Sequence, residues 1–177
     1  MKPYKKKLLK KAKKIRLVLF DVDGVLTDGR LYLDDNGVET KAFNSQDGLG
    51  MSMLQRAGVV IGVITGRSSQ LVNHRMRSLG VKHVFQGRLS KLSAFKQLRD
   101  ELELTNEQIA FVGDDVIDLP VMQKAGLAVA VANARDEVKA CADWITDANG
   151  GAGAGRAVCE LIMQSQGTWQ EQIHFYD

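Results

Sequence analysis

LVLFDVDGVLTD, residues 17–28, opens with four apolar residues and carries aspartates at positions 21, 23 and 28. The run 17–20 is short and rich in strand-favouring types, as a strand buried on both faces requires. Asp21, Asp23 and Gly24 follow at once, so two carboxylates one residue apart emerge where the strand stops and the backbone turns. A carboxylate pair is costly to desolvate unless something positive shares the site. An isolated Asp-x-Asp-Gly is an ordinary polar turn, because Asp and Gly are turn formers. What decides between turn and site is whether later strands end in matching chemistry.

They do. Residues 59–64 form a second buried-type strand, with Thr65, Gly66 and Arg67 at its end; residues 109–112 form another, followed by Gly113, Asp114, Asp115 and Asp118. Shorter strands are predicted near 84–85, 127–131 and 144–145. Helices are predicted after the segment 44–48 to about Ala57, over 69–79, from near Lys91 to Leu102, from the Asp118 region to Ala125, and around 135–141. Gly58 and Gly80 close the first two, and Thr105 with Gln108 has the form of a capping box. Alternating strands and helices of this length predict a doubly wound parallel sheet with helices on both faces, a Rossmann-like α/β fold in one domain spanning 1–177. In such sheets sites form beyond the carboxyl ends of the strands. Asp21, Asp23, Thr65, Lys91 and the Asp114, Asp115, Asp118 group would converge there. Oxygen-only donors suit a hard divalent cation, and Mg²⁺ is the natural occupant.

Composition supports a soluble globular chain, with 45% hydrophobic and 25% charged residues in 177. The pI near 8.9 invites a nucleic-acid reading. However, residues 1–16 hold eight lysines and Arg16 with no acid, which leaves 15 basic residues against 21 acidic ones in the remainder, a net of −6. The basic character belongs to one segment, where Leu8, Leu9, Ala12 and Ile15 fall at helical spacing; an amphipathic helix over about 4–14 packed on its own domain is expected, with no nucleic-acid or membrane partner. Cys141 and Cys159 suggest neither a disulfide framework nor a zinc site. With no run of 18 apolar residues and no secretory h-region, a cytoplasmic protein is expected. Residues 29–43 alternate around Asp35, Asn36 and Gly37, a hairpin signal. A lone hairpin is marginal in water, so it is expected to pack on something, another subunit included. Residues 168–177 are expected to be a tail.

The string DVDGVLT, taken with Thr65-Gly66-Arg67, Lys91 and GDDVID at 113–118, resembles the ordered motifs of the haloacid dehalogenase superfamily of phosphotransferases. Each element alone is ordinary: a turn, a solvated lysine, a polar loop. Only the ordered set favours function. The resemblance implies a capless phosphatase with an inserted hairpin. In it Asp21 is the nucleophile that forms an aspartyl-phosphate, and Asp23 is the general acid and base. Asp21, Asp114 and the Asp23 carbonyl are the Mg²⁺ ligands, while Thr65 and Lys91 hold the phosphoryl group, with Asp115 and Asp118 ordering waters and Lys91.

Within the superfamily, FNSQDGLG at 43–50 and GGAGAGR at 150–156 extend the resemblance to enzymes of phosphorylated 3-deoxy sugar acids, covering about residues 15–167. It implies hydrolysis of 3-deoxy-D-manno-octulosonate 8-phosphate in lipopolysaccharide precursor synthesis by a homotetramer whose hairpins pair centrally. Substrate contacts are then expected from Asp23, Asn44, Ser45, Gln46, Asp47, Gly48, Gly66, Arg67, Arg75 and Lys91, and from Arg156 across a subunit boundary. Arg67 and Arg75 are suited to a sugar-acid carboxylate, because guanidinium forks match that group. Gln46 and Ser52 stand where related chains often carry basic residues, which keeps a nonulosonate phosphate or another small phosphate ester open. A non-enzymatic regulatory subunit is the reading from another class, and the intact Asp21, Asp23, Lys91 and Asp114 argue against it.

Overall fold

The structure, a computed structural model, describes residues 4–176. In chain order the elements are α1 (Lys6–Ala12), β1 (Leu17–Phe20), β2 (Tyr32–Leu33), β3 (Glu39–Thr40), α2 (Ser45–Arg56), β4 (Val60–Ile64), α3 (Gln70–Ser78) and β5 (His83–Phe85). Then come α4 (Lys91–Glu101), β6 (Ile109–Gly113), α5 (Leu119–Met122), β7 (Leu127–Ala130), α6 (Asp136–Cys141), β8 (Trp144–Ile145), α7 (Ala154–Gln166) and α8 (Trp169–His174). Six strands form one parallel sheet in the order β5-β4-β1-β6-β7-β8, and β2 pairs with β3 in a separate antiparallel hairpin. Helices flank the sheet, as the alternation required.

Every residue of β1, β6 and β7 is buried. Strands covered on both faces must be apolar throughout, which is why 17–20 shows no alternation. The chain leaves β1 for β4 and β5 on one side, then crosses back to β6, β7 and β8 on the other. The order therefore reverses at β1, and in a doubly wound sheet such a switch point places the site beyond the carboxyl ends of the adjoining strands, here β1 and β6.

The basic first helix uses its apolar face on its own domain: Leu8 and Ala12 are buried, and Ile15 just beyond it is too. Lys11 Nζ lies 2.6 Å from Asp143, and Tyr4 meets Trp144 edge to face at 5.7 Å. Among the described residues no helix is long and apolar enough to cross a membrane.

Two elements differ from expectation. The helix predicted up to Ala125 is broken into a 3-10 turn, Val116–Asp118, and the short α5. Asp115 caps the turn and Pro120 sits in the first turn of α5, where its missing N–H costs nothing. The expected tail contains α8, which docks on α2. Arg56 Nε donates to Gln172, and the Arg56 guanidinium lies 4.1 Å from the Phe175 ring centroid. Aromatic residues and a cation provide that contact.

Candidate active site

Parallel register brings three strand ends to one level. Phe20 is paired with Val63 of β4 and Val112 of β6, and Asp21 N donates to Val112 O at 3.0 Å. Asp21 thus stands beside Gly113, and Asp114 follows one residue later on the neighbouring strand. Thr65, buried at the end of β4, lies on the other side of Asp21. Gly24 has φ +92°, and a Cβ there would sit 2.0 Å from Asp114 Oδ2. Only glycine lets the first loop turn left-handed and press against the second acidic loop.

Lys91 opens α4 and is buried with 2% of its surface exposed. Its Nζ lies 2.9 Å from Asp21 Oδ2 and 2.6 Å from Asp118 Oδ1. Asp118 Oδ2 accepts from the backbone N–H groups of Asp114, at 3.0 Å, and Asp115, at 3.4 Å. Both oxygens of Asp118 are therefore engaged, one orienting Lys91 and the other shaping the loop. Asp115 does not share that task, contrary to expectation; its exposed carboxylate accepts from Val116 N at 2.7 Å as the cap of the 3-10 turn. Lys91 is held by Asp118 and Asp21.

The electrostatics follow from crowding. Burial, then the charge of Asp118, push the Asp21 carboxyl up to about 7 against the pull of Lys91. Burial, then the charges of Asp21 and Asp118, push Asp114 up to about 8. For Lys91, burial acts downward, yet Asp21 and Asp118 outweigh it and hold the ammonium above its ordinary value. One buried cation is thus too little for three carboxylates.

Carboxylate oxygens of Asp21, Asp114 and Asp118 lie within 4.8 Å of one another. Asp114 Oδ1 is buried with no hydrogen-bond partner. An oxygen-only cluster with an orphaned carboxylate oxygen and surplus negative charge fits a hard divalent cation such as Mg²⁺. Asp118 is committed to Lys91 and two backbone N–H groups, and Asp21 accepts from Val22 N at 2.7 Å and faces Lys91 at 2.9 Å, so of the three it is Asp114 that has an unengaged oxygen.

The expected binding residues fall into two groups. Thr65, Gly66 and Arg67 lie at the β4 end, with Arg67 NH2 2.9 Å from Glu39 Oε1 on the hairpin. Asn44 accepts from Gln46 N at 2.7 Å as the cap of α2 and donates Nδ2 to Gly151 O at 3.3 Å; Ser45 and Gln46 beside it are exposed. Asp47, Gly48, Arg75 and Arg156 instead hold helices together. Buried Asp47 accepts from Arg156 N at 2.7 Å, giving an orphan donor in the first turn of α7 its partner. Burial raises the Asp47 carboxyl above its ordinary range, against these backbone donors. Arg75 NH2 donates to Asn44 O at 3.3 Å, and a Cβ on Gly48 would come within 2.3 Å of that nitrogen. Arg156 Nε donates to Glu160 at 2.6 Å, and its guanidinium lies 5.4 Å from the Trp169 centroid, within its own chain. The glycine loop ahead of it packs on the first loop, since a Cβ on Gly150 would sit 1.7 Å from Gly24 O.

Sequence reasoning missed Lys41 and Glu39. Lys41 Nζ pairs with Asp23 Oδ1 and lies 3.3 Å from Glu39 Oε1, with 2% of its side chain exposed. The signal was present: in the returning strand of the hairpin, positions 39 and 41 share one face, and both are charged.

A nucleophile-type carboxylate locked against a buried lysine, with a second acidic loop beside it at the switch point of a doubly wound sheet, defines a phosphotransfer enzyme. A family model of haloacid dehalogenase-like hydrolases matches residues 83–158. The chain is 45% identical over 169 residues to the 3-deoxy-D-manno-octulosonate 8-phosphate phosphatase of Salmonella typhi, covering 96% of this chain and 90% of that one. It superposes on a probable YrbI-family phosphatase from Pseudomonas syringae with TM-score 0.95 and 48% identity, over 97% and 98% of the two chains. A crystal structure of the 3-deoxy-D-manno-octulosonate 8-phosphate phosphatase of Moraxella catarrhalis, in complex with magnesium, phosphate and KDO, matches with TM-score 0.96 and 40% identity over 98% and 100%. The chain belongs to the haloacid dehalogenase-like hydrolases, in the family of these sugar-acid phosphatases, and is a phosphoric monoester hydrolase.

Proposed function

We propose that this enzyme is a Mg²⁺-dependent phosphatase that hydrolyses 3-deoxy-D-manno-octulosonate 8-phosphate to the free sugar acid and phosphate. In this reading it works in the cytoplasm, in lipopolysaccharide precursor synthesis, as a homotetramer. The observation that carries the reading is the Asp21–Lys91–Asp118 cluster, 2.9 and 2.6 Å across its two ion pairs, beside the unpartnered Asp114 oxygen. The relatives just described supply the substrate class.

In the first half-reaction an Asp21 oxygen forms a bond to phosphorus while the bond from phosphorus to the sugar oxygen breaks, leaving an aspartyl-phosphate. Asp23, two residues along the same loop, gives its proton to the departing oxygen. In the second, Asp23 takes a proton from water, whose oxygen attacks phosphorus and releases Asp21 and inorganic phosphate. Lys91 offsets charge on the phosphoryl oxygens, and Thr65 offers them a hydroxyl donor, since phosphoryl transfer depends mainly on positioning and electrostatics. Asp21 and Asp114 through their side chains and Asp23 through its main-chain carbonyl would hold Mg²⁺. When bound, the cation neutralises charge at Asp21 and on the phosphoryl group. Thr65-Gly66-Arg67 and the start of α2 at Asn44, Ser45 and Gln46 face the substrate, and Arg67 recognises its carboxylate. The hairpins pair subunits at the centre of the tetramer.

The test is phosphate release across a panel of sugar phosphates with Mg²⁺. A kcat/KM for 3-deoxy-D-manno-octulosonate 8-phosphate far above that for other esters is expected, with Asp21→Asn folded and inactive. A preference for a nonulosonate phosphate would replace the substrate, and an active Asp21→Asn would remove the mechanism.

A further inference from the structure

Asp23, the proton-exchanging group of the proposed mechanism, is not held by its own loop. Its Oδ1 pairs with Lys41, which arrives from the returning strand of the hairpin, 18 residues away in sequence. The lysine side chain is 2% exposed, so its ammonium has given up nearly all its water in exchange for Asp23 and Glu39. A desolvated ammonium is stable only when its partners are well placed. Glu39 is steadied in turn from the far side by Arg67 NH2 at 2.9 Å. An Asp23–Lys41–Glu39–Arg67 chain of alternating charge therefore runs from the first loop, across the base of the hairpin, to the loop after β4.

We infer that Lys41 is the positioning residue of Asp23: by anchoring Oδ1 it fixes the carboxyl rotamer, so that Oδ2 is left to exchange the proton with the leaving oxygen. The hairpin is then part of the catalytic apparatus of its own subunit, whatever it does between subunits. Glu39 and Arg67 brace the anchor. The inference rests on the reading of Asp23 as the general acid. Anchoring a proton donor matters most where the leaving group cannot depart without a proton. An alkoxide is such a group and a nitrophenolate is not.

The experiment compares kcat/KM, with Mg²⁺, for glycerol 1-phosphate and p-nitrophenyl phosphate. Neither carries the sugar-acid carboxylate, so loss of a substrate contact would not separate them. In Asp23→Asn the ratio of alkyl to aryl activity is expected to fall by about 10²-fold, the usual worth of a general acid. In Lys41→Met it is expected to fall in the same sense by about tenfold, a fraction of that effect, because the acid is present but unanchored. Lys41→Arg, which keeps the cation, is expected to recover most of the ratio. Glu39→Gln, which leaves Lys41 in place without its second anion, is expected to give a smaller fall in the same sense, and it carries the test if Lys41→Met does not fold. An equal loss on both substrates, or an unchanged ratio in Lys41→Met and Glu39→Gln while Asp23→Asn shows the split, would overturn the role of Lys41 alone. An unchanged ratio in Asp23→Asn would overturn the reading of Asp23 as well.

Discussion

Lys91 Nζ lies 2.6 Å from Asp118 Oδ1, and both side chains are sealed from solvent, at 1% and 0% exposure. The two are 27 residues apart, at the start of α4 and in the 3-10 turn after β6, and meet because both segments converge on the end of β1. Asp118 has no access to substrate through its own oxygens, yet it determines where Lys91 points.

Replacing Asp118 by Asn should therefore damage stability and turnover together. Breaking an isolated buried pair costs about 3–5 kcal/mol, but here Lys91 keeps Asp21 at 2.9 Å as a counter-charge and one of three crowded carboxylates is neutralised. Urea unfolding should therefore register a loss below that range. Phosphate release should fall because Lys91 is no longer held toward the Asp21 side. An unfolding midpoint within error of the parent would show that the pair contributes nothing net.

The crowded carboxylates predict a pH dependence of the metal-free enzyme. Asp21 and Asp114 are raised to about 7 and about 8 in the folded chain from an ordinary 3.8. The folded state therefore binds these protons more tightly than the unfolded state. Their contribution is most favourable below the unfolded value and is lost as pH rises through the folded values. In EDTA the melting temperature should fall between about pH 5 and about pH 8.5, and Mg²⁺ should restore it most at the alkaline end. Lys91, raised above its ordinary value, keeps its proton throughout and does not oppose the trend. A melting temperature that rose with pH in EDTA would contradict the assignment.

The hairpin offers a third prediction. Leu31, Leu33 and Val38 expose 56%, 61% and 60% of their surface, with Tyr32 at 42%, a concentration of apolar side chains on one small unit. Contiguous apolar patches of this kind mark interfaces. If the hairpins pair subunits, Leu33→Asp should shift the light-scattering mass from tetramer toward monomer while leaving the fold intact by circular dichroism. A parent protein that is monomeric at working concentration would dispose of the assembly.

Much of this architecture was legible in the chain itself. The unbroken apolar runs at 17–20 and 109–112, the glycines that close helices, and the acids placed directly after strands are near-neighbour patterns. They report burial on two faces and the end of a strand without reference to anything distant. Those patterns predicted the parallel sheet and the meeting of Asp21, Thr65, Lys91 and Asp114 at one edge. Partner choice among charged residues is another matter. Asp47 and Arg156, 109 residues apart, and Asp23 and Lys41, 18 apart, pair because tertiary packing sets the helix α7 beside α2 and folds the hairpin base over the first loop. Their residue types suit substrate binding and helix anchoring equally well. Only the folded chain decides, by which buried donors are left without a partner once the backbone is in place. Asp47 is taken by the first turn of α7, and Lys41 by Asp23.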